Sequence, residues 1–397
     1  MFATEAMRTA HNQADMLESI KNETGMNVQI LSPAMESMFG AMGARSAFGD
    51  VKGLFLDLGG GSVQMTYLDS KVEGYETTAA MAAKSIPAGA AKLTLAINTL
   101  GKEEVEGDLK SRMKAIFEGM QQQFPGLKKQ AESKEGVNIY FCGGGFRGYG
   151  SMLKHTHEIQ PYPIPQIGGF TVDGEVFKDW KGMLRANEKE GKVFGMSKRR
   201  REQFPAIAMV VAALVNAVPN INKVTFCSGG NRDGVLYMKL PQRIWKEHPL
   251  PLLPGGLNSA TKESISSITA LVETALTDSC PKVFSTHLLQ YIARNTWTHQ
   301  GHDDSENAAK AIHNPISGAV AGLPGLTHEV QACISLILAA RWGNSLGPTD
   351  RPLQENLRRL IGRKRAWWCD YIGIVMRVLG TALPVFPAEE GMLEVVK

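Results

Sequence analysis

Residues 54–64 read LFLDLGGGSVQ: a short apolar run, an aspartate, three consecutive glycines and a serine. Glycine loses more backbone freedom on folding than any other residue, so three in a row need a reason in the folded chain. One reading is a turn or bulge, but such turns need only one special glycine each. The other is a ligand loop. Bare main chain after a strand can aim successive N–H groups at one point and hold phosphate oxygens, with the serine hydroxyl as a further donor. Asp57, at the strand end, could then hold Mg²⁺ or orient a water beside the phosphate.

Two more strand–glycine units flank this one in the sequence: VNIYFCGGGFRGYGSML (137–153) and NKVTFCSGGNRDGVLY (222–237). Helical patterns lie between them, including a long stretch from about 88 to 122, stopped at Pro125-Gly126, and an apolar helix at 204–218. Upstream, the 3–25 segment reads as helix, 27–32 as strand and 33–44 as helix, whereas 62–78 alternates like an antiparallel pair of strands. Strands interleaved with helices imply an α/β domain. Glycine-rich turns at three strand ends imply one crevice, because ligands in such sheets bind outside the carboxyl ends of the strands. The proline- and glycine-rich HPLPLLPGG (248–256) reads as a linker, and helical periodicity dominates from 258 to 397.

The remaining composition excludes more than it assigns. A 397-residue chain with 43% hydrophobic and 21% charged residues is ordinary globular material, and a formal charge of +4 implies no polyanion preference. Direct nucleic-acid binding is therefore not expected. The KRRR run at 198–201 reads as a local basic patch or a solvated helix end. Five dispersed cysteines argue for a reducing compartment and against a disulfide framework or zinc site. With no secretory signal pattern and no apolar run of bilayer length, a cytoplasmic protein without a membrane partner is expected.

Read with ATEAMRTAHN (3–12) and ILSPAMES (30–37), DLGGGSVQ resembles the exopolyphosphatase/guanosine-pentaphosphate phosphatase (Ppx/GppA) family of the actin–sugar kinase–chaperone ATPase superfamily. The order of motifs over roughly residues 3 to 240 matches, and the wording of the later segments is closest to a fungal branch tied to retrograde (mitochondria-to-nucleus) signalling. The resemblance implies a ribonuclease-H-like (actin-like ATPase) domain, preceded by a partial first domain and followed by a mainly helical C-terminal domain. The expected boundaries are 1–48, 49–247 and 258–397, the last as a degenerate relative of HD phosphohydrolases. It also implies polyphosphate or phosphorylated-nucleotide ligands, regulatory protein partners and Mg²⁺. By the same resemblance Glu36 activates water, Asp57 serves in catalysis and holds the metal, and Arg8 lies near the cleft. Gly59, Gly60, Gly61 and Ser62 form the phosphate nest, joined by Gly143, Gly144 and Gly145.

Three departures bear on catalysis. The family's opening Asp-x-Gly-Ser-Asn-Ser phosphate loop has no counterpart here, so the chain is expected to start inside the first domain. The acidic residue that closes the family's GGGS-T-E motif is Gln64, and the acidic pair of the glutamate helix is reduced to Met35-Glu36. Removing even one preorganised donor costs about 10² to 10³ in rate, so little hydrolysis is expected. Three readings follow: a phosphate- or nucleotide-sensing regulator, a phosphohydrolase with Glu36 as base, and an inactive scaffold. In the tail, His299, His302, Asp303 and His313, with His287 and His328, are too few for a working metal site and read as its remnant. AWWCDYIG (366–373) reads as an aromatic core or patch.

Overall fold

The computed structural model describes residues 1–252, 259–297, 303–318, 320–322 and 326–384. The chain divides into two compact units: residues 1–156 with 167–246, and residues 157–166 with 247–397.

The first unit is built on a six-stranded sheet of order β5-β4-β3-β6-β8-β7, and a separate parallel pair joins β1 (Phe2–Ala3) to β2 (Gln29–Ile30). In the sheet, β3 (Lys52–Leu58), β4 (Val63–Asp69) and β5 (Lys84–Ile86) run antiparallel. β6 (Val137–Cys142) and β8 (Ile221–Phe226) continue parallel to β3, and β7 (Thr171–Asp173) closes the edge against β8. Three antiparallel strands followed by two parallel ones make the ribonuclease-H-like arrangement of the actin-like ATPases. The apolar run of β3 follows from its position, since Leu54, Phe55, Leu56 and Leu58 are buried on both faces of the sheet. Helices cover those faces; the Phe204–Ala217 helix is buried almost all round, as its uniform apolarity requires.

Local expectations need corrections, beginning with 3–25, which is a short strand (Phe2–Ala3) and two helices, Glu5–Arg8 and Gln13–Thr24. Residues 75–82 form a helix after β4, not a second strand, and the antiparallel partners of β4 are β3 before it and the short β5 beyond the helix. The 88–122 region is two helices, Ala90–Leu100 and Lys102–Gln123, because Gly101 breaks the path at φ 93°. Pro125 does stop the Lys102–Gln123 helix, with Phe124 before it extended, and it then opens the Pro125–Glu132 helix, where its missing N–H costs nothing.

The Pro33–Arg45 helix packs unusually close to the Asn231–Tyr237 helix. A Cβ on Gly43 would lie 2.0 Å from the Gly230 carbonyl oxygen, and one on Gly234 would lie 1.8 Å from that of Phe39. Backbone meets backbone here. The glycines fix how deeply the glutamate-bearing helix seats in the unit.

The second unit is helical: Ser259–Ala275, Thr286–Asn295, Asp304–Ser317, His328–Arg341 and Arg351–Ala382, the last broken at Gly362 (φ 77°). The excursion 157–166 is part of its core. Ile164 is fully buried in it, the Tyr162 hydroxyl bonds His328 Nδ1 at 2.8 Å, and Asn356 Nδ2 donates to the Pro161 carbonyl at 3.0 Å. No helix among the described residues is long and apolar enough to cross a membrane.

Candidate functional site

β3, β6 and β8 end side by side, and each runs into a glycine segment. Asp57 pairs in register with Cys142 of β6. Gly143 follows at φ 83°, and a Cβ there would fall 2.1 Å from Asp57 Oδ1, so only glycine lets the chain turn beside this carboxylate. The Gly143–His155 helix starts at once, with no side-chain cap. No side chain among the described residues takes up its first-turn N–H groups, the donors that an anion would use. Gly145 serves packing, since a Cβ there would meet the Leu58 side chain at 2.5 Å.

The 59–62 loop is held from below. Ala90 N donates to the Gly59 carbonyl at 2.9 Å, and Ala91 N to that of Gly60 at 3.0 Å. In a trans peptide the N–H points opposite to the C=O, so the amides of Gly60 and Gly61 point away from this helix. Neither has a hydrogen-bond acceptor among the described residues. Gly61 is pressed by Glu5, whose carboxylate oxygen lies 1.7 Å from the place of a Cβ and which is ion-paired to Lys92. Ser62 is buried.

A cleft of about 310 Å³ opens between the first two glycine loops, lined by Gly59, Gly60, Gly144 and Gly145 on one side and by Arg199 and Arg200 on the other. The arginines come from the KRRR run, folded as the short Lys198–Glu202 helix with Ser197 Oγ accepting from Arg200 N at 3.3 Å. Arg200 lies across the glycine face of the Gly143–His155 helix: a Cβ on Gly144 would sit 3.1 Å from its Nη2, and one on Gly148 2.8 Å from its Cδ. Neither Arg199 nor Arg200 has an ion-pair partner among the described residues. The i, i+4 glycines and the basic run lie about 50 residues apart in the sequence, so the run alone read as a local basic patch or a solvated helix end. Ser62 and Gly61 do not line this cleft, and so the predicted nest splits.

Beside Gly143 the acidic residues gather. Glu36 is 8% exposed, in the first turn of a helix capped by Ser32 and begun by Pro33. Arg8 pairs with it at 3.1 Å and also donates to the Leu31 carbonyl. Burial foremost, then the Glu36 charge, push Asp57 from 3.8 up to about 6, against a lowering pull from Arg147. Gln64, in place of the expected acid, accepts from Ser37 Oγ at 3.1 Å, and its Nε2 is buried without a partner. Between Ser37, Gly40, Asp57, Gln64 and Cys142 lies a void of about 10 Å³, the size of one water.

Among the described residues no group of three or more His, Cys, Asp or Glu could hold a metal. Mg²⁺, however, commonly takes one or two carboxylates and completes its shell with waters and substrate phosphates. Asp57, crowded by Glu36 and without a hydrogen-bond donor among the described residues, fits that limited part.

The third glycine segment does not join the cleft as expected. A Cβ on Gly229 would sit 2.1 Å from the Gly43 carbonyl oxygen, so this glycine serves helix packing. In the helical unit, His299 and His302 lie outside the described residues. Asp303 caps the Asp304–Ser317 helix, His313 pairs with Asp350 at 2.9 Å, and His287 stacks on His248. These partners are spread over separate contacts.

Residues 1–243 match the Ppx/GppA phosphatase family, and residues 253–394 match the RTG2 C-terminal domain. The chain is similar to Retrograde regulation protein 2 of Saccharomyces cerevisiae, 28% identical over 96% of this chain and 66% of that protein. It is also similar to Exopolyphosphatase 1 of Mycobacterium leprae, 36% identical over 23% of this chain and 26% of that one. The chain thus spans just under two thirds of the yeast relative's length. A solved Ppx/GppA phosphatase of Aquifex aeolicus is similar at 19% identity and a TM-score of 0.43, covering 60% of this chain and 74% of that one. With one family match running through the glycine loops, the glutamate helix and the sheet that carries them, the chain belongs to the Ppx/GppA phosphatase family.

Proposed function

We propose that the chain is a regulatory protein that senses a phosphorylated nucleotide or polyphosphate, built on a phosphatase scaffold and serving retrograde signalling. The observation that carries this reading is the 310 Å³ cleft, where glycine backbone faces two arginines that no carboxylate among the described residues neutralises. Main-chain donors and planar guanidinium groups together suit phosphate oxygens. Similarity to the yeast Retrograde regulation protein 2 over most of the chain supports the regulatory part.

The acid pair supports binding more than turnover. Glu36 is held by Arg8, which stabilises its carboxylate but also occupies the group that would activate water. Gln64 leaves the site one carboxylate short of the family motif. Bound Mg²⁺ would neutralise phosphate charge, with Asp57 as the ligand this chain offers. Asp57 at about 6 also lies in a range useful to a general base, which favours residual hydrolysis as the second reading.

Thermal shift and calorimetry with ATP–Mg²⁺, GTP and polyphosphate test the proposal. At 100 times its Kd a ligand should add about 2.7 kcal/mol of stability. Arg200→Ala should weaken that binding roughly 10- to 100-fold, the range for hydrogen bonds to a charged group. No melting shift with any of the three would end the sensing reading. Phosphate release from polyphosphate that is the same for the wild type, Glu36→Ala and Asp57→Ala would end the hydrolytic one.

A further inference from the structure

The helix after Gly362 turns one side inward, burying Trp368, Ile372, Met376 and Leu379. Its other side carries Trp367, Tyr371, Ile374 and Val378, at steps of four, three and four residues. Trp367 is 58%, Ile374 57% and Val378 62% exposed, and Tyr371 is half-buried and stacks on Trp367 with ring centroids 5.5 Å apart. Single exposed apolar residues are common, but a continuous row has the spacing that a second helix could pack against. The rim is cationic at its start, with Arg363 and Lys364 exposed, and Arg377 near its end is exposed but paired to Asp304 at 3.5 Å. Asp370 is the only acidic residue from 359 to 382, and Arg358 clamps both its oxygens.

These features select among occupants. A second copy of the row would set like charges against each other. A membrane surface takes a broad apolar face, and this is one row, with the Tyr371 hydroxyl donating inward to the Ala275 carbonyl at 2.9 Å. We propose that the Trp367–Val378 row docks an amphipathic helix of a partner protein whose own 3–4 apolar row is flanked by glutamate or aspartate. The row sets the alignment, and the cationic rim selects the sign of the partner's charge.

The probe is a labelled synthetic helix of about three heptads, with leucine at a and d and glutamate at e and g, titrated with the full chain by fluorescence anisotropy. Binding should be micromolar and weaken as salt rises from about 50 to 500 mM, where exposed charges are screened. Trp367→Ala and Ile374→Ser, both at exposed positions, should each weaken it about tenfold or more with unchanged melting temperatures. Arg363→Glu should weaken it as well, and a lysine-flanked version of the probe should not bind. The proposal is overturned by no binding at about 100 μM, far above a micromolar Kd, or by equal binding of the glutamate and lysine probes. It is equally overturned if the row instead mediates dimers, or binding to phosphatidylserine vesicles, that Trp367→Ala abolishes.

Discussion

Asp57→Asn should make the folded chain more stable near neutral pH, by about 2 kcal/mol, although it removes the carboxylate proposed to face ligand and metal. Burial and Glu36 raise Asp57 to about 6 in the fold, whereas an unfolded aspartate releases its proton near 3.8. The folded form therefore binds the proton more tightly. The stabilising contribution of this group is complete below about pH 4, is lost as pH rises to about 6, and stays lost above that. The rise corresponds to about 3 kcal/mol at most, and partial solvent contact of the carboxylate reduces it. Urea unfolding of Asp57→Asn and wild type at about pH 7.5 and pH 4 measures the effect: the gap should be open at the first and nearly closed at the second. An equal gap at both values, or a less stable variant at pH 7.5, would refute the account. Stability gained by removing a carboxylate marks a residue kept for something other than folding.

Gly234→Ala should act in the opposite sense, costing about 3 kcal/mol or more, because overpacking that meets backbone cannot be relieved by a rotamer change. The methyl group would sit 1.8 Å from the Phe39 carbonyl oxygen, and Gly43→Ala would clash at 2.0 Å with that of Gly230. The two helices must separate to admit either, which draws Glu36 away from Asp57. A control comes from Gly107, exposed in the Lys102–Gln123 helix with open space where a Cβ would go. There alanine should add about 0.5 to 1 kcal/mol by helix propensity alone. Chemical denaturation of the three variants reads all these effects. If Gly107→Ala and Gly234→Ala moved stability alike, close packing would not be the reason for the glycines.

The strands and the position of Asp57 were legible because β3, β6 and β8 are short apolar runs ending in glycine, a pattern set by neighbouring residues. What each glycine does was not legible. Gly143 clears a carboxylate, Gly144 faces an arginine, Gly145 packs on leucine and Gly229 packs on a helix, and nothing in GGG or SGG separates these tasks. Each depends on a residue far away in the chain. Arg200 was missed for the same reason, because a basic run shows its purpose only when the glycine face it crosses is known. The helix break at Gly101 depends on a backbone angle that periodicity does not report.

The short excursion 157–166 has a consequence for anyone dividing this gene. Because Ile164, Tyr162 and Pro161 belong to the helical unit while the chain on both sides belongs to the first, no single cut yields two complete pieces. An expression fragment beginning near residue 247 would carry every helix of the second unit and still lack a wedge of its core. Shuffling such a module between proteins requires moving two stretches of coding sequence together. Inheritance of the pair as one block is the natural result.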